Sequence, residues 1–244
     1  MVLLVHHSIS PQSRKVRLIM AEKKMLFVLK EEEPWKLSQD ILDINPSGDL
    51  PVLVFDGKVV AGNYAVTEYL EESNPQYKLL PEEPVARAEV RRIMDWFDTK
   101  FFNEVYKYIV AEKIIKRFQL KQAPNSKILK AGLNNLKFHM EYIDYLADRN
   151  NYLAGKNLTL ADLTVAAHLS IIDYLGDIPW NDYKNAKLWY AKIKSRPSFK
   201  DILKDNHYDK MTVKIFHDYT AFLSRAEGMN NMAAVEQKES LRRE

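Results

Sequence analysis

Ser10 lies between an apolar run at residues 2–5 and a helical pattern that opens at Pro11, inside the segment Ser8-Ile9-Ser10-Pro11-Gln12-Ser13-Arg14-Lys15-Val16-Arg17. Proline suits the first helical position and serine the cap before it. A helix start of this kind favours a nearby anion. A hydroxyl placed there can donate to a bound thiolate and lower the ~8.5 pKa of a free thiol. The same residue types also fit a helix that is simply well capped. A second segment, Asn45-Pro46-Ser47-Gly48-Asp49-Leu50-Pro51-Val52-Leu53, puts Pro51 at a strand start, where a cis peptide bond locks a tight turn. The Leu50 N–H and C=O would then form an open edge for an extended peptide ligand. Taken alone, the segment is a turn.

Other groups carry less chemistry. Lys107, Lys113, Lys116, Arg117 and Lys121 form a basic stripe, which fits either a solvated helix face or a docking surface for an acidic partner. His6 and His7 are adjacent in a strand pattern and point to opposite faces, so they do not chelate one ion together. His139, His168, His207 and His217 lack ligand spacing, and no metal site is expected. With no cysteine in the chain, disulfides, thiolate-ligated metals and a protein thiolate nucleophile are all excluded. Thr159-Leu160-Ala161-Asp162 reads as a capping box that starts a helix and stabilises it by about 1 kcal/mol.

The elements that must position these groups change character along the chain. Short strand patterns alternate with helical ones up to residue 73, in the order β-α-β-α-β-β-α. Strands are expected at 2–5, 25–30, 51–55 and 58–61, with Asp56-Gly57 as a hairpin turn. Helices are expected at 11–24, 37–43 and 63–73, the last capped by Asn63. This is the layout of a thioredoxin-like domain over residues 1–73. Residues 74–84 hold three prolines and read as a linker. Residues 85–206 read as an all-α domain opened by one long helix, 87–122, with Trp96, Phe97, Phe101, Val105 and Tyr108 along its apolar stripe. Further helices are expected at 125–149, 159–175 and 182–195, with a fifth opening at Pro197. Residues 207–244 read as an extension that is partly disordered or binds a partner.

The 244 residues carry 46% hydrophobic side chains, enough for a substantial core, and a net charge of only +3, too small for a dedicated nucleic-acid binder. The N-terminus lacks a basic leader, and no stretch reaches the ~18 apolar residues of a membrane span, so a soluble, cytoplasmic protein is expected.

Taken in order, these segments resemble the cytosolic glutathione S-transferase family over roughly residues 1 to 200. The resemblance rests on Ser10-Pro11, Asn45-Pro46-x-Gly48-x-x-Pro51-x-Leu53, the hairpin and its helix, Tyr152-Leu153-Ala154-Gly155 before Thr159-Leu160-Ala161-Asp162-Leu163, and Arg196-Pro197-Ser198-Phe199. It implies an α+β glutathione transferase fold. It also implies that Ser10 falls where serine-type members hold the glutathione thiolate, and Leu50-Pro51 where the backbone pairs with the cysteinyl unit. The family's acid–serine pair for the γ-glutamyl end is replaced here by Gly62-Asn63. Loss of that carboxylate removes a charge-assisted hydrogen bond of about 1.5–3 kcal/mol, or at least a tenfold loss of affinity, which Asn63 offsets in part.

A narrower resemblance is to the FtsZ-binding, transferase-like division proteins of α-proteobacteria. It is carried by His6-His7-x-x-Ser10-Pro11-x-x-Arg14-Lys15-Val16-Arg17-Leu18, by Arg87-Ala88-Glu89-Val90-Arg91-Arg92-x-x-x-Trp96-Phe97-Asp98-x-Lys100-Phe101, and by Glu104-Val105 and Glu112-Lys113-x-x-Lys116-Arg117. This resemblance implies a homodimer that binds FtsZ polymer at the division site and affects filament curvature and constriction. Two readings follow. One is an adaptor with little or no transferase activity, docking through Lys113, Lys116 and Arg117 and requiring no cofactor. The other is a serine-type transferase that takes glutathione as cosubstrate for hydrophobic electrophiles, with Ser10 as its catalytic group.

Overall fold

The structure is a computed structural model that describes residues 2–33, 36–119 and 122–205, without the side chains of residues 115 and 117–119. Expectations at the Arg117 side chain, Lys121, His207, His217 and the 207–244 extension lie outside the described residues.

Four strands form one sheet: β1 (Val2–His6), β2 (Phe27–Glu31), β3 (Val52–Phe55) and β4 (Lys58–Ala61), in the spatial order β2-β1-β3-β4. β1 runs parallel to β2 and antiparallel to β3, with Leu4 opposite both Leu29 and Leu53. The parallel pair needs a crossover, which α1 (Pro11–Glu22) supplies; β3 and β4 need only a tight turn. Asp56 and Gly57 both have positive φ, the pairing that matches the twist of a two-residue hairpin. The short α2 (Gln39–Ile44) precedes β3, and α3 (Asn63–Ser73) follows β4.

Beyond α3 the chain is helical. A long helix runs through α4 (Pro84–Asp95), a π-wound stretch (Trp96–Tyr106), α5 (Lys107–Val110) and a second π-wound stretch (Ala111–Gln119). The sequence stripe is corrected at its far end: Ile109, not Tyr108, continues the buried row Phe97, Phe101, Val105, and Tyr108 is exposed. A spacing of four drifts by about 40° per step around a 3.6-residue helix, and the π-wound stretches turn more slowly than that. α6 (Ser126–Arg149), α7 (Leu160–Tyr174), α8 (Lys184–Lys194) and α9 (Lys200–Leu203) complete the bundle.

α7 is its centre, with every residue from 160 to 172 buried. Its start is fixed by Asp162, whose carboxylate accepts the Thr159 N–H (2.9 Å), the Leu153 N–H (2.9 Å) and the Trp189 indole N–H (2.9 Å). The expected capping box is thus present and also ties α7 to α8. α1 packs on α7 more extensively than any other pair of helices, which buries α1 on both faces, Arg14, Lys15 and Arg17 included. Buried charge of this kind must be paired, and the partners of these three residues organise the candidate site.

Candidate functional site

One end of the sheet gathers the groups singled out in the first half of the chain. Val52, just past Pro51, pairs with Val5 near the end of β1 and with Ala61 at the end of β4, so the loop before α1, the Leu50-Pro51 turn and the start of α3 converge there. The Gly62 N–H donates to the Pro51 carbonyl at 3.2 Å.

Ser10 is the N-cap of α1. Its hydroxyl oxygen accepts the Ser13 N–H at 3.2 Å, while its proton goes to the Gln12 side-chain carbonyl at 3.1 Å. Holding a thiolate would require giving up only the Gln12 contact. The flanking loop is braced from three sides. Arg14 Nε donates to the Ser8 carbonyl (2.7 Å), the Tyr106 hydroxyl donates to the Ile9 carbonyl (2.6 Å), and the Ser8 N–H reaches Glu31 (2.8 Å). Burial alone would raise the Glu31 carboxyl, but the Ser8 N–H and the neighbouring His6 outweigh it and bring it below its usual value.

The Leu50–Pro51 peptide bond is cis, and Leu50 is nearly buried in a small apolar cluster with Val5, Ile41 and Val52. Among the described residues, no backbone group hydrogen-bonds the Leu50 N–H or C=O, which leaves the open edge that an extended ligand needs.

Asn63 behaves differently from its sequence reading. The N-cap of α3 is Gly62, at φ +94°, a backbone region that favours glycine. Asn63 is instead the first helical residue, and its side-chain N–H donates to Asp98 at 2.9 Å. Its Oδ1 is buried without a partner among the described residues. Asp98 also takes the ammonium of the fully buried Lys15 at 2.6 Å and the Nε2 of buried His168 at 3.0 Å. Burial would push the Asp98 carboxyl up; Lys15 and His168 together hold it well below the usual carboxylate range. Burial pushes the His168 pKa down against the pull of Asp98, and its Nε2 faces the carboxylate. Asp98, the carboxylate that Asn63 reaches, is therefore saturated from within. The residues present suit the thiol and backbone end of glutathione and do not suit its ammonium end.

Lys113 and Lys116 of the basic stripe stand apart, on the second π-wound stretch. Lys113 pairs with Asp177, and Lys116 pairs with Glu112 at 2.7 Å, so neither presents an uncompensated charge. Glu112 is buried and also accepts the Asn125 N–H at 2.6 Å. Among the described residues no group of acids and histidines is arranged to hold a metal.

The meeting of Asp98, Lys15 and His168 has no local signature in the sequence. Asp98 is 83 residues from Lys15 and 70 from His168, and spacing along the chain carries no sign of such a meeting. The available signal was a lysine on the α1 face that the crossover must bury.

Comparison with known proteins agrees with this geometry. The "Glutathione S-transferase, N-terminal domain" family matches residues 9–73, and the "Glutathione S-transferase, C-terminal domain" family matches residues 110–206. The chain is 41% identical over 220 residues to FtsZ-localized protein A of Caulobacter vibrioides, covering 85% of this chain and 96% of that relative. Among solved structures, a glutathione S-transferase from Rhodospirillum rubrum F11 is 47% identical with a TM-score of 0.82, covering 84% of this chain and 93% of that one. The structure of FzlA from C. crescentus is 40% identical with a TM-score of 0.81, covering 87% and 99%. With both family matches and a relative 41% identical over most of its length, the chain belongs to the glutathione S-transferase family.

Proposed function

We propose that this chain is a glutathione S-transferase-fold adaptor that binds FtsZ polymer, acts as a homodimer at the division site in the cytoplasm, and has little or no transferase activity. The observation that carries the reading is the state of the γ-glutamyl position: Gly62 supplies no carboxylate, and the Asn63 amide is committed to an Asp98 that Lys15 and His168 already satisfy. The name of the relative matched at 41% identity, FtsZ-localized protein A, supports the choice of partner. Lys113, Lys116 and Arg117 are the proposed docking stripe. Lys113 and Lys116 are each partly exposed, so an acidic partner surface can reach them.

A second reading, a serine-type transferase, is favoured by the Ser10 hydroxyl, whose donor needs only to leave Gln12, and by the open Leu50 backbone.

Co-sedimentation with GTP-polymerised FtsZ, beside a calorimetric titration with glutathione, separates the two. The adaptor pellets with polymer and gives no heat; glutathione binding without pelleting returns the chain to the enzymes. Ser10→Ala refines the result. It removes an N-cap and lowers stability by about 1 kcal/mol while leaving FtsZ binding unchanged; a sharp fall in glutathione turnover instead makes Ser10 catalytic. Unchanged pelleting after charge reversal of Lys113, Lys116 and Arg117 together removes the stripe as the docking surface.

A further inference from the structure

α6 carries its charges in two separate blocks. Its first half holds only lysines, Lys127, Lys130 and Lys137; the acids Glu141, Asp144 and Asp148 follow, with Arg149 as the last residue. The helix macrodipole favours the reverse order, acids near the N-terminus and bases near the C-terminus. Lys137 and Glu141, one helical turn apart, also stand in the less favourable order for an ion pair along one helix. Among the described residues, Lys127, Lys130, Lys137, Glu141 and Asp148 enter no ion pair. The stability of the helix itself does not account for this order.

The two blocks share one outward face. Steps of three or four residues lead from Lys130 through Asn134, Phe138, Glu141 and Tyr145 to Asp148, all of them exposed. Phe138 and Tyr145 are 52% and 51% exposed and give the face an apolar middle. Beside the acidic block, Asp182 and Tyr183 wall an open cleft of about 410 Å³, whose lining among the described residues includes no basic side chain. The spacing within the blocks also matches. Lys130 and Lys137 are seven residues apart, as are Glu141 and Asp148, or about 10 Å along the axis in each case. With a second α6 laid end for end and Lys137 opposite the partner's Glu141, Lys130 falls opposite the partner's Asp148. Two-fold symmetry then repeats both pairs, and the axis passes beside Phe138.

We propose that α6 is a self-association face: two copies of this chain pair through antiparallel α6 helices, Lys130 meeting the partner's Asp148 and Lys137 meeting the partner's Glu141, with Phe138 at the two-fold axis. A parallel pairing would set lysines against lysines and acids against acids, so the charge pattern selects the antiparallel one. Asp144 takes no part, because its carboxylate is already held by the Ala186 N–H at 2.9 Å at the start of α8. The proposal rests on the homodimer of the reading above and gives it a surface; it does not depend on FtsZ as the partner.

The test is sedimentation equilibrium of the full chain at fixed ionic strength. Wild type is compared with two charge-reversed chains, one carrying Lys130→Glu and Lys137→Glu, the other Glu141→Lys and Asp148→Lys. All four positions are exposed, so both chains should fold, which circular dichroism checks. Each places like charges opposite one another and should raise the dimer dissociation constant at least about tenfold. An equimolar mixture of the two should recover the dimer, because the acidic face of one then meets the basic face of the other. A monomeric wild type overturns the proposal and the homodimer with it. A dimeric wild type whose two variants stay dimeric overturns the α6 face and leaves the homodimer standing. Dissociation of both variants with no recovery on mixing overturns the antiparallel pairing.

Discussion

His139 is the titratable ring at the centre of an aromatic cluster. Its Nδ1 accepts the Trp96 indole N–H at 2.9 Å, so the ring proton sits on Nε2, which faces Glu104 at 3.2 Å. Phe97, Phe101 and Phe138 surround it. Burial lowers its pKa to about 4 against the opposing pull of Glu104, and protonating Nδ1 would also break the Trp96 bond. A histidine whose folded pKa lies below the unfolded value of ~6.5 contributes stability that is present above pH ~6.5 and lost as pH falls toward the folded value. Urea-unfolding stability should therefore decline between pH 6.5 and 4, and His139→Gln should flatten that decline. A variant with the same slope as wild type would show that other groups govern the acid limb. The sequence made Ser10 readable, because a capping serine before a proline has a local signature, and it misread Asn63, because whether an asparagine caps or reaches away depends on a carboxylate 35 residues further on. His139 lacks ligand spacing along the chain, and its partners, Trp96 and Glu104, lie on another helix.

Among the elements, strand and helix order were legible almost throughout, since period and punctuation are local: β1, the Asp56-Gly57 hairpin, α3, and the Asn125 and Thr159 helix starts all stand within a residue or two of expectation. The winding of the long helix was not legible, because it answers to what the helix packs against. That packing is tight at Gly132 of α6, where an added Cβ would lie 2.8 Å from Tyr108 Cβ and 3.1 Å from Ile109 Cγ1. Two opposing terms decide the outcome of Gly132→Ala. Alanine favours a helix interior over glycine by about 1 kcal/mol, whereas overpacking a buried contact costs about 1–3 kcal/mol. The clash involves a Cβ next to backbone, which gives less than a side-chain tip, so the second term should win. The variant is expected to lose about 1–2 kcal/mol by chemical denaturation, and a gain in stability would mean that α5 and α6 separate easily.

For the molecule as a whole, the main hydrophobic cluster runs without a break from Leu4 in the sheet through Val16 and Ile19 of α1 to Phe97, α7 and Trp189, so the two halves share one core. The linker is held as firmly: Glu71 accepts the N–H groups of Leu79 and Leu80 and pairs with buried Lys23 at 2.7 Å. Asp98 is the polar counterpart of that shared core, drawing together Lys15 of α1, Asn63 of α3 and His168 of α7. Removing one partner of a buried pair strands the other charge and costs about 3–5 kcal/mol, while replacing both by apolar groups costs far less. Asp98→Asn should therefore destabilise strongly, and Lys15→Met combined with Asp98→Asn should recover much of the loss. The pH dependence has a defined sign. The Asp98 carboxyl is held below its unfolded value of ~3.9, so its contribution is complete above that pH and is lost as pH falls toward the folded value. The gap between wild type and Asp98→Asn should be flat above about pH 5 and narrow below about pH 4. Far-UV circular dichroism and tryptophan fluorescence should report one coincident transition in wild type, because the two halves share the main core. Two separated transitions would sever the argument at its base, since Asp98 would then join domains that do not otherwise depend on each other. A double variant no more stable than Asp98→Asn alone would move the cost from the stranded lysine to the loss of Asn63 and His168 contacts, and the γ-glutamyl position would then owe its closed state to those two residues.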